Sequence, residues 1–118
     1  MKSHHYSAIL AASQDISNWT EADFMTSLKI AATSAELTAV GELSFSFQPQ
    51  GISAILLLKE SHVALHFWPE EGKVSIDIHV CDYQQDNQEK AQIFAKKLAL
   101  QISGNDSTEH WNYLPIVG

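Results

Sequence analysis

The stretch GISAILLLKESHVALHFWPEEGKVSIDIHVC, residues 51–81, decides the fold. It splits into three short apolar runs, 52–59, 63–68 and 73–81, each of strand length and rich in β-branched and aromatic residues. The breakers Pro69 and Gly72 bound a turn between the second and third runs, and a second turn falls near Glu60 and Ser61. Three strands with connections this short form an antiparallel meander. The segment from Ile52 to Leu58 is continuously apolar, the pattern of a strand covered on both faces. His62, Ala64, His66 and Trp68 alternate onto one face of the next strand.

Working outward, residues 42–47 alternate Leu43, Phe45 and Phe47 against polar neighbours, which predicts a half-buried strand that stops at Pro49 and Gly51. Residues 17–39 carry Phe24, Leu28, Ala31, Ala32 and Ala35 at three- and four-residue spacing, with Ser17 or Thr20 as cap and Gly41 as terminator. That spacing predicts an amphipathic helix. A second helix is expected over 88–102, with Ala91, Phe94, Ala95, Leu98 and Ile102 on one side and Gly104 at its end. Residues 5–12 read as a first strand, and the tail with His110, Trp111, Tyr113 and Leu114 as an edge strand. The order predicts an α+β fold, a mainly antiparallel sheet with two helices on one face. The apolar character of 52–58 asks for a cover on the other face as well. A second copy packed sheet to sheet, an αββα sandwich, is the simplest one.

Composition narrows the function. A chain of 118 residues, 45% of them hydrophobic, fits one domain spanning 1–118. A net charge of -7, with seven lysines and no arginine, argues against nucleic-acid binding. The longest apolar run falls far short of the roughly 20 residues of a membrane span, and no apolar leader is present, so a cytoplasmic protein without membrane contact is expected. The single Cys81 excludes an intrachain disulfide and leaves a buried small side chain or a reactive thiol. The six histidines include terminal His4 and His5 and offer no convincing ligand set, so no metal is expected.

Glu60-Ser61-His62 at a turn, His66-x-Trp68-Pro69-Glu70, and Cys81 downstream each have an ordinary structural explanation alone. Their joint spacing, with Phe47, Gln48, Pro49 and Gln50 ahead of them, resembles the core of prokaryotic S-adenosylmethionine decarboxylases over about 35 residues. The resemblance implies a pyruvoyl-dependent enzyme that makes its cofactor from Ser61 by cutting its own chain between Glu60 and Ser61. In that chemistry the Ser61 hydroxyl attacks the Glu60 carbonyl to give an ester, a base removes the α-proton, and β-elimination releases the first fragment. Ser53 and His66 match the residues that assist processing, with His66 as the base. Hydrolysis leaves a pyruvoyl ketone able to form a Schiff base with a substrate amine and to act as an electron sink. Cys81 matches the acid that returns a proton to the substrate carbon, and Phe47, Glu60, Trp68 and Glu70 fall around the substrate, Phe47 on adenine and Glu70 on the ribose.

The resemblance implies decarboxylation of S-adenosylmethionine for polyamine (spermidine) synthesis. A pyruvoyl-dependent decarboxylase of ornithine or arginine, and a homologue that does not process itself, are the alternatives. Three positions depart from the family: Phe67 stands where threonine is usual, and Ala54 and Asp82 where glycine is usual. Alternation aims Phe67 away from His66 and Trp68, toward packing rather than chemistry. Strand pairing across 69–72 sets Cys81 opposite Glu60 and beside Ser61, and pairing across the turn near Glu60 and Ser61 sets Ser53 opposite Trp68. His66 then lies about 15 Å along its strand from Ser61. That separation suggests a homodimer with shared active sites, Ser61 and Cys81 from one subunit meeting Ser53, His66, Phe47 and Glu70 of the other.

Overall fold

The computed structural model describes residues 1–118. Strand β1 (Lys2–Ala11) leads through a single 3-10 turn into helix α1 (Glu21–Ser34). Strands β2 (Ala39–Ser46), β3 (Ile52–Leu58), β4 (Ser61–Trp68) and β5 (Lys73–Cys81) follow, then helix α2 (Gln88–Ser103) and strand β6 (Asn112–Val117). All strands join one antiparallel sheet in the order β2-β3-β4-β5-β1-β6. Both helices lie on one face of it, as the patterning predicts.

Two-residue periodicity builds the core. Ala54, Leu56 and Leu58 of β3, Val63, Leu65 and Phe67 of β4, and Val74, Ile76, Ile78 and Val80 of β5 are buried on the helix side. There they meet Phe24, Leu28 and Ala31 of α1 and Ala91, Phe94 and Leu98 of α2 in one continuous cluster. Phe67 packs on Phe24 with ring centroids 5.3 Å apart, so its bulk serves the core, in line with its alternation.

Helix α1 is shorter than the spacing suggests. It starts at Thr20, one of the two candidate caps, through a reciprocal pair: the Asp23 N–H donates to Thr20 Oγ1, and the Thr20 N–H donates to Asp23 Oδ2. It ends at Ser34, and Glu36 then turns back with φ 58°. Gly41 is therefore no terminator; it lies inside β2 beside a register shift, facing Leu57. Helix α2 does end at its glycine, Gly104, whose φ of 79° suits a residue without Cβ and whose N–H donates to the Leu100 carbonyl.

The far face of the sheet differs from expectation within the single chain. Leu43, Phe45 and Phe47 are 70%, 60% and 49% exposed, because the residues of β2 that face the helices are Ser44 and Ser46, both bonded to the Glu21 carboxylate. Strand β3 likewise buries one side only and leaves Ile55 and Leu57 open. No helix is long and apolar enough to cross a membrane.

Candidate active site

At one end of β4 the chain turns back in two residues, Lys59 and Glu60, since Leu58 pairs with Ser61. Glu60 takes φ 58°, a conformation costing a residue with a Cβ about 1 kcal/mol, immediately before the Glu60–Ser61 peptide bond. Ser61 opens the strand itself, and its side chain is nearly shielded from solvent. The Cys81 N–H donates to Ser61 Oγ at 3.0 Å. This contact follows from the β4–β5 register, in which His62 faces His79, so that Cys81 falls opposite Glu60 as predicted.

The segment after Cys81 is tied down. Asp82 Oδ1 accepts from the Asn87 N–H at 2.8 Å and pairs with His4 Nε2 at 2.7 Å, while Asn87 Nδ2 donates to the Cys81 carbonyl at 2.9 Å. His4 is fully buried and meets Tyr113 Oη at 2.8 Å through its other ring nitrogen. The Asn87 N–H, aided by His4, outweighs burial and holds the Asp82 carboxyl below its ordinary pKa. Burial pushes the Cys81 thiol up, and the Glu60 and Asp82 charges add to that. Beside it, His79 Nε2 lies 3.1 Å from Cys81 Sγ. Burial, then the neighbouring His5 and His62, hold His79 below the usual histidine range.

At the other end of β4, His66 lies opposite Ser53 on β3, and Ser53 Oγ sits 2.6 Å from His66 Nδ1. The predicted partner, Trp68, was two residues off: the turn is centred on Lys59 and Glu60, one residue earlier than assumed. A shift of two residues preserves the face, so Ser53, His66 and Trp68 still look the same way. They line an open cleft of about 340 Å³ with Phe47, Gln50 and Glu70. The cleft offers an aromatic wall, a serine–histidine pair and a carboxylate.

The fold thus gathers the predicted residues into two groups. Glu60, Ser61 and Cys81 meet at one end of β4; Phe47, Ser53, His66, Trp68 and Glu70 meet at the other. Ser61 and His66 lie five positions apart along β4, roughly 15 Å, so one chain does not bring them together. Sequence reasoning missed two members of the Cys81 environment. His4 looked terminal, yet its alternation with Tyr6 on β1 turns it into the protein. His79 stands at i−2 from Cys81, the spacing that puts two strand residues on one face.

The model of the S-adenosylmethionine decarboxylase family matches residues 14–107. An S-adenosylmethionine decarboxylase proenzyme of Archaeoglobus fulgidus is 41% identical over 63 residues, 53% of this chain and 56% of that one. The proenzyme of Symbiobacterium thermophilum is 45% identical over 56 residues, 48% of this chain and 42% of its own. The matched part thus spans about half the length of these curated relatives. The crystal structure of the adenosylmethionine decarboxylase from Aquifex aeolicus superposes with a TM-score of 0.75, covering 98% of this chain and 88% of that one at 22% identity, a likeness of fold. With 94 consecutive residues matched by the family model, this chain belongs to the S-adenosylmethionine decarboxylase family.

Proposed function

We propose that this chain is the proenzyme of a pyruvoyl-dependent S-adenosylmethionine decarboxylase, processed between Glu60 and Ser61, and that it works in the cytoplasm as a homodimer with shared sites. The observation that carries the reading is the shielded Ser61 hydroxyl, held by the Cys81 N–H directly after the left-handed Glu60. Ser61 supplies the hydroxyl from which a pyruvoyl group is made, so the residues present fit that group. Once formed, it supplies a ketone that takes up a substrate amine and draws electrons as carbon dioxide leaves.

The protein's own groups account for the remaining work. Accepting the Cys81 N–H orients Ser61 Oγ and leaves its proton free to depart as the oxygen attacks the Glu60 carbonyl. With His66 Nδ1–H donating to Ser53 Oγ, Nε2 keeps its lone pair and can take the α-proton. Cys81, kept in its thiol form by burial and two carboxylates, suits an acid that protonates carbon. Phe47 and Trp68 give the cleft flat apolar surfaces for a base, and Glu70 gives it an acceptor for hydroxyls. Because His66 is about 15 Å from Ser61 in its own chain, each site is completed by a partner packed on the open sheet face, where Leu43, Phe45, Ile55 and Leu57 need cover. The whole sequence, 1–118, acts as one domain in this reading.

Denaturing mass spectrometry tests it first. Cleavage converts the 13.1 kDa chain into fragments of 60 residues (1–60) and 58 residues (61–118), the second blocked at its N-terminus. Carbon dioxide release from S-adenosylmethionine, and not from ornithine or arginine, is then expected. A chain that stays intact after purification and prolonged incubation would refute self-processing and leave a non-processing homologue. Site sharing is tested by mixing Ser61→Ala and His66→Ala subunits: the mixed dimer should regain cleavage of the chain that retains Ser61.

A further inference from the structure

Decarboxylation exchanges a carboxylate for a hydrogen, so each turnover consumes one proton. On the reading above, Cys81 delivers that proton to carbon, and its thiol must be refilled before the next cycle. Cys81 is only 5% exposed, which makes direct refilling from bulk water slow. The group in contact with its sulfur is His79, with Nε2 3.1 Å from Sγ.

His79 does not stand alone. On the open sheet face it lies between His62 of β4, stacked parallel at 4.8 Å between ring centroids, and His5 of β1, set edge-on at 4.4 Å. His5 Nε2 is in turn 3.1 Å from Ser3 Oγ. A line of three imidazoles thus crosses three strands, and its middle member touches the thiol. We propose that His79, held between His5 and His62, acts through Cys81 as the proton source that restores its thiol after each turnover. This rests on the assignment of Cys81 as the acid.

The balance is simple. Neutral His79 in its Nε2–H form donates to Sγ and leaves the S–H free to point at substrate. The S–H bond breaks as the substrate carbon gains its hydrogen, leaving a thiolate. Nε2–H then passes to sulfur while Nδ1 takes up a solvent proton, and exchange with water returns the ring to its Nε2–H tautomer before the next cycle, so one solvent proton enters per turnover and nothing is oxidised or reduced. The charged surroundings agree with this order. His62 faces the ring from β4 and His5 from β1; Asp77, bonded to Ser7, lies two residues back on β5, and Glu60 and Asp82 flank the thiol. A lowered imidazole next to a raised thiol favours the neutral pair over the thiolate–imidazolium pair of a cysteine nucleophile.

Cys81 is the only cysteine, so protein labelled with 13C at the cysteine Cβ gives one NMR signal whose shift against pH reports its ionisation. His79→Phe, which keeps a flat ring on His62, should raise the Cys81 midpoint by about one pH unit or more, because the thiolate loses its N–H donor. His79→Gln keeps a donor and should recover most of that midpoint. Both variants should lose at least tenfold in kcat with KM little changed, since an amide bonds the sulfur yet carries no proton to it. An unshifted Cys81 midpoint in His79→Phe, or wild-type kcat in His79→Gln, would overturn the proposal while cleavage and carbon dioxide release by the wild type stand. Wild-type chain that neither cleaves nor releases carbon dioxide would instead overturn the decarboxylase reading, and this proposal with it.

Discussion

The two ends of β4 are made of different materials. At the Ser61 end Ser61 and Cys81 are shielded and their surroundings locked: a left-handed residue, a hydroxyl taken by a backbone N–H, and a following segment pinned by Asp82 and Asn87. At the His66 end they face an open cleft, with one serine–histidine bond and aromatic surfaces free to accept a ligand. On the proposed reading the locked end carries the serine that becomes the reactive group, while the open end supplies the processing base and the surfaces for substrate. With the ends roughly 15 Å apart, that reading calls for two chains, as in the proposed homodimer.

Breaking the locked end should have the largest effect. Ser61→Ala removes the attacking oxygen, so cleavage should vanish and mass spectrometry should return the intact chain. The His66 end is expected to yield a smaller loss. His66→Ala removes a base without removing the reacting atom, and the cleavage rate should fall about 10²–10⁴-fold, the usual worth of a positioned proton acceptor. If His66→Ala cleaves at the wild-type rate, the open end has no part in processing and the contrast loses its functional meaning.

Much of this arrangement is legible in the sequence because two-residue alternation is strict in β4 and β5. It fixes which residues share a face, and the four-residue turn bounded by Pro69 and Gly72 fixes the β4–β5 register, including Cys81 against Glu60. The β3–β4 register was harder, since Lys59-Glu60 carries no glycine to mark a tight turn; a glutamate occupies the left-handed position instead. Alternation in β2 is legible in the sequence, but the side of the sheet its apolar stripe takes is not. An apolar stripe says that a face wants cover and does not say which side of the sheet the helices take. The His4–Asp82 and His79–Cys81 pairs join residues far apart in the chain or ordinary in isolation, and only the strand pairing of β1, β4 and β5 reveals them.

Two substitutions sharpen the comparison at the level of stability, both made on Ser61→Ala so that the chain stays whole. Phe67→Thr, which installs the residue usual in the family, should cost about 3 kcal/mol in urea unfolding, since it empties the contact with Phe24. With Ser61 restored, Phe67→Thr should still cleave, because its side chain faces the helices. Glu60→Gly relieves the left-handed φ but loosens the unfolded chain, for a net gain of about 0.5–1 kcal/mol. A loss there instead would mean that the Glu60 side chain makes a compensating contact at the locked end.

The smallest effect expected is a pH slope, and it too separates neighbouring parts of the molecule. His79 is held below the ordinary histidine range in the fold, so the unfolded chain binds the proton more readily. Stability from this group is full above about pH 6.5 and declines as pH falls below it. Asp82 is also depressed, and its contribution is present above about pH 3.9 and is lost as pH falls through its lower folded value. Both slopes therefore have the same sign, stability rising with pH, in windows that barely overlap. Urea midpoints of Ser61→Ala protein measured from pH 7 down to pH 3 should show two declines. His79→Phe should flatten the upper one and Asp82→Asn the lower one, each leaving the other in place. If either substitution flattens both, the imidazole line and the Asp82 clamp titrate as one coupled unit around Cys81 rather than as two separate supports.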